Sequence, residues 1–412
     1  MDLRTAKKRH RPTLRRAVRT MHPPPGGNGV RARFVLLAVA LAALVGACTK
    51  EKGVDQPRAL VPFTPSLHVA RAWSENVGGT RKPLRLGLDL TVVDNQVYAA
   101  GERGEIAAFD LSSGRKHWER KVRAPLGGGP GADSELVVVG AMDGQVFGLD
   151  AATGKVRWRV NIAGEVLAKP AVSPRIVVVR SVDGKLHGLS PSDGHELWQM
   201  QEEVPRLSLR GTSRPEIVGD VAICGYDDGK VIATNLSDGS NAWSTLIAPP
   251  QGANDLARLN DVDATPRTAG DDVFVAQFQG KVAMLALDTG QIWWAHDMSS
   301  YRGMAVENDN VYVATADGQV VALQGRTGAE IWRQKALMYR GLSAPVVSGD
   351  AIVVADYQGY VHWLNKGTGA LLARARGAKN RVSSPPVAAG GLILTIDDRG
   401  RIWAFRATPV RS

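Results

Sequence analysis

The sequence predicts an all-β fold: a single eight-bladed β-propeller of four-stranded antiparallel blades, closed by pairing of the N- and C-terminal segments. Three observations predict it. A unit of about 40 residues recurs along the chain, each unit carries two glycines ten residues apart, and a tryptophan follows the second glycine by four residues. Repeats of this length that contain several short strands are typical of propellers, in which each unit forms one blade.

The glycine pairs predict two turns in each unit. The first glycine follows an alternating run of β-branched residues and often stands in Asp-Gly, which supplies the positive φ that a tight hairpin needs. Seven units keep the interval: Gly104/Gly114, Gly144/Gly154, Gly184/Gly194, Gly229/Gly239, Gly280/Gly290, Gly318/Gly328 and Gly359/Gly369. Six have the tryptophan: Trp118, Trp158, Trp198, Trp243, Trp294 and Trp332. We predict that these indoles pack between neighbouring blades and do not form a ligand cage.

The two ends of the chain together supply the eighth unit. The last unit stops after its first half, from Leu392 to Phe405, and the seventh has Ala373 in place of the tryptophan. An outer strand with its tryptophan stands instead near the N-terminus, around Trp73. Pairing of these segments would close the ring and leave no open sheet edge at the seam.

Residues 1–47 have the order of regions of a signal peptide. The first 33 residues contain ten Lys or Arg and one acid, and residues 34–47 are uncharged and too short to cross a bilayer as a helix. The run ends in Leu44-Val45-Gly46-Ala47-Cys48, which resembles the lipobox of bacterial lipoproteins. In that class Cys48 would become the acylated N-terminus, and Thr49 after it favours the outer membrane. Met21 is an alternative translation start.

The predicted organisation therefore has three parts. Residues 1–47 are a lipoprotein signal peptide, residues 48–71 are the lipidated N-terminus and a flexible, proline-containing tether, and residues 72–412 are the propeller.

Charge and cysteine content exclude several classes of function. The first 33 residues carry +9 of the net charge of +11, so the basic pI belongs to the leader and does not indicate a nucleic-acid partner. The chain has two cysteines, so acylation of Cys48 leaves no disulfide and no multi-cysteine metal site. Cys224 lies in an apolar strand and is expected to be a buried free thiol.

The repeat resembles that of pyrroloquinoline-quinone-type propellers, some of which are dehydrogenases. Those enzymes hold calcium and quinone on the ring axis, and many have adjacent cysteines, which are absent from this sequence. No nucleophile elbow, zinc-binding His-Glu-x-x-His or phosphate loop occurs, so we predict no enzyme activity, no cofactor and no metal. Two alternatives stay open: a dehydrogenase-like propeller, and a glycan-binding propeller with aromatic residues on an exposed face.

Two consecutive units are longer than the others. First glycines are spaced by 40, 40, 45, 51, 38, 41 and 41 residues, so the insertions flank one blade. Both lie between an outer strand and the next inner strand, and are therefore expected on one face. The predicted partner-binding residues in them are Leu207, Leu209, Arg210, Asp261 and Asp263, apolar anchors among opposite charges. The structural alternative is that Arg210 pairs with Asp261 or Asp263 to hold the two loops together.

These loop sequences carry a more specific resemblance. The lipobox, the eight units, Leu207-Ser208-Leu209-Arg210-Gly211, the run from Arg258 to Pro266 and the run from Gly359 to Asn365 together resemble the BamB family of outer-membrane assembly lipoproteins. The resemblance implies a scaffold that binds the periplasmic POTRA domains of BamA through the five loop residues, lipid-anchored in the outer membrane and facing the periplasm. An outer blade edge would also offer unfolded β-barrel precursors a strand to pair with.

Overall fold

The computed structural model describes residues 55–78, 88–205, 213–249 and 261–410. These residues form 32 strands in eight four-stranded antiparallel sheets arranged as the blades of a propeller, which confirms the predicted fold class. Within the described ranges there is no helix long and apolar enough to cross a membrane.

Each of the first seven blades is formed by consecutive strands. The strands of blades 1 to 4 are β2 (Leu90–Val93), β3 (Gln96–Ala100), β4 (Glu105–Asp110) and β5 (Lys116–Lys121); β6 (Gly131–Ala132), β7 (Leu136–Gly140), β8 (Gln145–Asp150) and β9 (Val156–Asn161); β10 (Ala171–Val172), β11 (Val177–Arg180), β12 (Lys185–Leu189) and β13 (Glu196–Gln201); and β14 (Glu216–Val218), β15 (Val221–Gly225), β16 (Lys230–Asn235) and β17 (Asn241–Leu246).

Blades 5 to 7 continue the series, and blade 8 uses both ends of the chain. Their strands are β18 (Arg267–Ala269), β19 (Asp272–Ala276), β20 (Lys281–Ala286) and β21 (Ile292–Asp297); β22 (Met304–Glu307), β23 (Asn310–Ala314), β24 (Val320–Gln324) and β25 (Glu330–Gln334); β26 (Val346–Ser348), β27 (Ala351–Ala355), β28 (Tyr360–Asn365) and β29 (Leu371–Arg376); and β30 (Val387–Ala389), β31 (Leu392–Ile396), β32 (Arg401–Pro409) and β1 (Leu67–Asn76).

Glycine forms the turn between the second and third strands of most blades. Gly144 has φ of 81°, a value that costs a residue with a Cβ about 1–2 kcal/mol, and the preceding Asp143 accepts a hydrogen bond from the backbone of Gln145 at 3.2 Å. Blade 5 differs, because there the positive φ belongs to Gln279, at 50°. The predicted hairpins are otherwise confirmed.

The closing blade forms as the sequence predicts. β1 pairs antiparallel with β32, from Leu67 opposite Pro409 to Asn76 opposite Arg401, and the sheet order is β1, β32, β31, β30. The ordered contacts start earlier than the predicted boundary at residue 72, because β1 begins at Leu67 and the Arg58 amide donates to the Met338 carbonyl at 3.0 Å. The sequence does not predict these contacts, because backbone hydrogen bonds produce no hydrophobic period in a polar, proline-containing segment.

The repeat tryptophans join each blade to the next one. Trp118 on β5 donates its indole N–H to the Ala151 carbonyl of blade 2 at 2.9 Å, and a Cβ placed on Gly154 would lie 2.4 Å from the indole. The same bond, 2.7–2.9 Å long, is donated by Trp73, Trp158, Trp198, Trp243, Trp294 and Trp332. The described structure thus shows the predicted packing between blades, and the core consists of layers between adjacent sheets.

The seam between blades 7 and 8 explains why Ala373 replaces the tryptophan. Blade 8 takes its third and fourth strands from opposite chain ends, so it has no glycine turn on which an indole could pack. Ser66 bridges this seam instead: its amide donates to the Leu372 carbonyl, and its carbonyl accepts from the Val410 amide, both at 3.0 Å. The N-terminal segment therefore performs the joining role that tryptophan has elsewhere.

Candidate functional site

The two long connections lie on either side of blade 4. One runs from the end of β13 at Gln201 to Glu216, and the other from the end of β17 at Leu246 to Arg267. In a four-stranded antiparallel meander the chain leaves the fourth strand at the same end as the turn between strands two and three. We call the face with these connections and turns the upper face; both connections and the Asp227-Asp228-Gly229 turn of blade 4 belong to it.

Three of the predicted partner-binding residues, Leu207, Leu209 and Arg210, fall outside the described residues, as does Cys48. The described end of the first connection is fixed by Ser213. Its hydroxyl accepts a hydrogen bond from the Gly225 amide at 3.2 Å and donates to the Ala264 carbonyl at 3.3 Å. Ser213 therefore ties the end of the first connection to the end of the second.

Asp261 belongs to the regular repeat and not to the inserted part of its connection. The Val262 amide donates to the Tyr226 carbonyl of blade 4 at 3.1 Å, and the Phe278 amide of blade 5 donates to the Asp261 carbonyl at 3.0 Å. Glu165 accepts the equivalent bond from the Val182 amide between blades 2 and 3. Asp261 is 1% exposed, so its side chain lies inside this junction.

Asp263 lies in a cluster of charged groups at the junction of blades 4 and 5. The residue is half-buried and its Oδ1 atom is fully enclosed, without a hydrogen-bond partner among the described residues. Burial raises its pKa well above the ordinary value, the Asp227 and Asp261 carboxylates raise it further, and Arg180 and Arg302 oppose them. Asp261 and Asp263 are thus brought together, but neither is displayed as a freely exposed charge.

Arg180 is the main cation of this cluster and is not found by the sequence analysis. It ends β11 and is 1% exposed; its guanidinium lies 3.8 Å from the Tyr226 ring centroid and 3.5 Å from Asp227 Oδ1. Its Nη1 also lies 3.9 Å from the Sγ of Cys224, a free thiol that is buried as expected. The sequence feature that could have revealed Arg180 is its position at the end of an otherwise apolar strand, Val177–Arg180.

A second group of charges crosses the ring axis. Asp89, just before the inner strand of blade 1, lies 2.6 Å from Arg214 of blade 4 and 3.5 Å from Lys169 of blade 3. Arg214 also donates to the Thr265 hydroxyl of blade 5 at 3.1 Å. Burial lowers the pKa of Lys169 to about 8, despite the opposing effect of Asp89. These contacts connect inner strands that lie across the channel from one another.

The channel residues do not suit a calcium and quinone site. Within residues 55–78, 88–205, 213–249 and 261–410 no group of three or more His, Cys, Asp or Glu side chains is placed to hold a metal ion. The one carboxylate at the channel contact, Asp89, is already engaged by two cations. Calcium needs about six to eight oxygen ligands, so this donor set favours ion pairing over metal binding.

Aromatic side chains give little support to a glycan-binding face. Trp293 on β21 is the large exposed aromatic of the described residues, at 57% exposure. The repeat tryptophans are occupied by contacts between blades, as Trp118 and Trp332 illustrate.

Comparison with known proteins gives one consistent family. The sequence profile described as "Outer membrane protein assembly factor BamB" matches residues 102–334 and 316–409. A protein of that name from Pseudomonas aeruginosa is 47% identical over 270 residues, covering 66% of this chain and 71% of the relative. Another from Bordetella pertussis is 33% identical over 279 residues, covering 67% and 71%.

Solved structures agree with the sequence relatives. BamB from Moraxella catarrhalis superposes with a TM-score of 0.75 at 26% identity, covering 82% of this chain and 100% of that one. A quinohemoprotein alcohol dehydrogenase from Pseudomonas putida has a TM-score of 0.66 at 13% identity, over 84% of this chain and 77% of that one, and shares the fold alone. The chain belongs to the BamB family of outer-membrane protein assembly factors.

Proposed function

We propose that this protein is a non-enzymatic scaffold lipoprotein of the outer-membrane β-barrel assembly complex, and that it binds the POTRA domains of BamA through the upper face at blade 4. One observation carries the proposal. The two longest connections between blades flank blade 4 on the same face, and their ends are tied to each other through Ser213 and Ala264. Tying the described ends of two binding loops together restricts them before binding, which lowers the entropic cost of binding.

The described residues suggest how the surface is divided between support and contact. Asp261 and Val262 are held by backbone bonds to Phe278 and Tyr226, so they fix where the second connection re-enters the ring. We therefore assign Asp261 a supporting role. Leu207 and Leu209 would supply the apolar anchors of the contact, Arg210 its cation and Asp263 an acid.

The experiment is a co-purification of the tagged lipoprotein with the periplasmic region of BamA. The variant Leu209→Ala with Arg210→Ala is expected to lose most of the bound partner while its unfolding temperature stays unchanged. Leu197→Ala with Arg159→Ala removes an exposed leucine and an exposed arginine from other blades, so it is the matched control and should bind like the wild type.

Two results would contradict the proposal. Failure of the wild-type protein to retain BamA would show that BamA is not its partner. A drop in unfolding temperature as large as the drop in binding would instead show that Leu209 and Arg210 are structural residues of the loops.

The proposed anchor is an acyl group on Cys48, which would hold the propeller at the outer membrane facing the periplasm. Growth with labelled palmitate should label the wild-type chain and not Cys48→Ala. Equal labelling of both chains would place the lipid elsewhere. Cys224 does not compete as an acylation site, because its thiol is buried in β15.

We also propose a second, weaker role, in which the outer edges of the blades bind unfolded β-barrel precursors. Five of the fourth strands carry an exposed apolar residue: Val156, Leu197, Leu246, Trp293 and Ile331. An extended peptide could add to such a strand through main-chain bonds. A peptide copied from a barrel strand should therefore bind the wild-type protein more tightly than Trp293→Arg; equal binding would exclude this edge.

A further inference from the structure

Positive charge outside the leader is concentrated at the C-terminal end of the chain. Residues 371–412 contain eight Lys or Arg and two Asp or Glu, a net charge of +6, whereas residues 34–370 sum to −4. Such an asymmetry within one folded unit indicates a surface with an anionic partner.

The fold gathers this charge at the junction of blades 7 and 8. We call the exposed residues Arg71, Arg376, Lys379, Arg399 and Arg401 the basic patch. Arg376 ends β29, Lys379 lies in the connection to blade 8, and Arg399 lies in the turn between β31 and β32. These segments touch, since the Asp398 amide donates to the Arg381 carbonyl at 2.9 Å.

The two acids of this region do not neutralise the patch. Asp397 and Asp398 are only 2% and 7% exposed. Asp397 accepts from the Asn380 amide at 3.0 Å and the Arg399 backbone at 2.9 Å, and Asp398 accepts from the Ser383 hydroxyl at 2.5 Å. Both carboxylates face inward, so the surface presented to solvent is cationic.

Aromatic rings lie directly beside these cations. The half-buried Trp403 ring lies 5.5 Å from the Arg71 guanidinium and 4.9 Å from that of Arg401. Tyr360 lies 5.1 Å from the guanidinium of Arg376. Tryptophan and tyrosine next to arginine and lysine are typical of surfaces that meet phospholipid headgroups, where an apolar ring and a cation are both accommodated.

The N-terminal segment runs past the patch before its last described contact with the ring, the bond from the Arg58 amide to the Met338 carbonyl. Arg374, two residues from Arg376 on β29, donates to the Val61 carbonyl at 3.1 Å and lies 5.1 Å from the Phe63 ring. Arg58 is ten positions after Cys48, and an extended chain of that length spans at most about 35 Å. A lipid anchor at Cys48 would thus keep the patch within reach of the membrane surface.

We propose that the basic patch docks on a bilayer that contains anionic phospholipid, an inference that rests on the lipid anchor proposed above. Blades 4 and 8 are four positions apart in a ring of eight, so they lie on opposite sides of it. The basic patch and the proposed BamA-binding surface thus lie at opposite edges of the upper face, and a propeller tilted onto its blade 8 edge leaves the edge at blade 4 open to a protein partner. Docking fixes which side of the propeller faces the membrane.

The test uses the mature lipoprotein reconstituted in vesicles, with a fluorophore on a single introduced cysteine. Lys379→Cys reports on the patch. Arg115→Cys is the matched reporter, since it also removes one exposed cation but lies in a turn between third and fourth strands, on the opposite face. Acylated Cys48 and buried Cys224 would not react with the dye. Headgroup-labelled quencher lipid is placed in vesicles of phosphatidylglycerol with phosphatidylethanolamine, or of phosphatidylcholine alone.

Quenching at position 379 is expected to be several-fold stronger than at position 115 in the anionic vesicles, and to be lost at high salt or in Arg376→Glu with Arg399→Glu. Equal quenching at both positions, or equal quenching in neutral and anionic vesicles, would overturn the proposal. A chain whose Cys48 reacts with the dye, and which washes off the vesicles, would instead refute the lipid anchor. The failure of the docking proposal and the failure of the anchor are therefore distinguishable.

Discussion

Trp73 donates its indole N–H to the carbonyl oxygen of Leu111 at 2.9 Å, and this bond joins the blade that closes the ring to the first blade made of consecutive strands. A Cβ on Gly114 would lie 2.7 Å from the same indole, so the glycine is required by the tryptophan of the preceding blade. Each tryptophan and the glycine turn of the next blade therefore form one unit of packing, and they explain why the two residue types recur together.

Loss of one such tryptophan should destabilise the whole propeller. Trp118→Ala is expected to cost about 3–5 kcal/mol of unfolding free energy, because it opens a cavity between blades 1 and 2. Trp118→Phe should cost about 1–3 kcal/mol, since the Ala151 carbonyl loses its 2.9 Å bond and keeps only the 3.4 Å bond from the Tyr98 hydroxyl. Urea unfolding measures both. The exposed Trp293→Phe is the control and should stay within about 0.5 kcal/mol of the wild type.

The glycine partner should be equally intolerant. Gly154 has φ of 68°, and a Cβ there would lie 2.4 Å from the Trp118 ring, so Gly154→Ala combines backbone strain with a clash and should cost more than about 2 kcal/mol. Gly219 has φ of 56° with nothing within 4 Å of its Cβ position. Gly219→Ala should cost only about 1 kcal/mol in the same unfolding experiment. Equal losses would show that the indole contact does not matter.

The N-terminal segment should depend on a buried arginine. Arg340 is 2% exposed, lies 2.7 Å from Asp356 and donates to the Arg58 carbonyl at 3.0 Å. Arg340→Met is expected to cost about 3–5 kcal/mol, because it leaves the Asp356 carboxylate buried without its main cation. Limited proteolysis should also cut residues 56–66 faster in this variant.

The matched control for that experiment is Arg333→Met, which breaks a partly exposed pair with Glu330 and should cost less than about 1 kcal/mol. Unchanged proteolysis of residues 56–66 in Arg340→Met would show that the Arg58 contact does not hold the segment.

Asp263 should make stability depend on pH. Burial raises its pKa in the folded protein, so above the unfolded pKa the folded state either keeps a proton or carries a costly charge. The loss of unfolding free energy caused by Asp263 is absent well below its pKa in the unfolded chain, about 4. It grows as the pH rises towards its pKa in the folded protein. Asp263→Asn should therefore melt at a higher temperature than wild type at pH 8 and at a similar temperature near pH 4.

The exposed Asp271→Asn is the control for the pH experiment and should shift the melting temperature equally at both pH values. A melting temperature of Asp263→Asn below that of the wild type at every pH would show that its carboxylate is stabilising, and that Arg180 and Arg302 outweigh its burial.

The family and the blade number follow from local and periodic features of the sequence. The glycine turns, the alternating strands and Trp73 near the N-terminus each act within one unit or between adjacent units, so they repeat at a fixed interval and predict both the fold and its closure. Asp261 shows the limit of this reasoning. Its position in a long connection predicts a place on the partner-binding surface, yet its backbone occupies a regular repeat position and its side chain is buried.

The sequence by itself determined the ring of eight blades, the closing of the ring by both chain ends and the location of the two long connections. Only the tertiary structure decided which polar groups distant in sequence meet across the ring or hold the N-terminal segment. Asp89 and Arg214 are 125 positions apart, and Arg340 and Arg58 are 282 apart. Such pairs depend on the closed ring to bring them together, and because each occurs once, no period in the sequence reveals them.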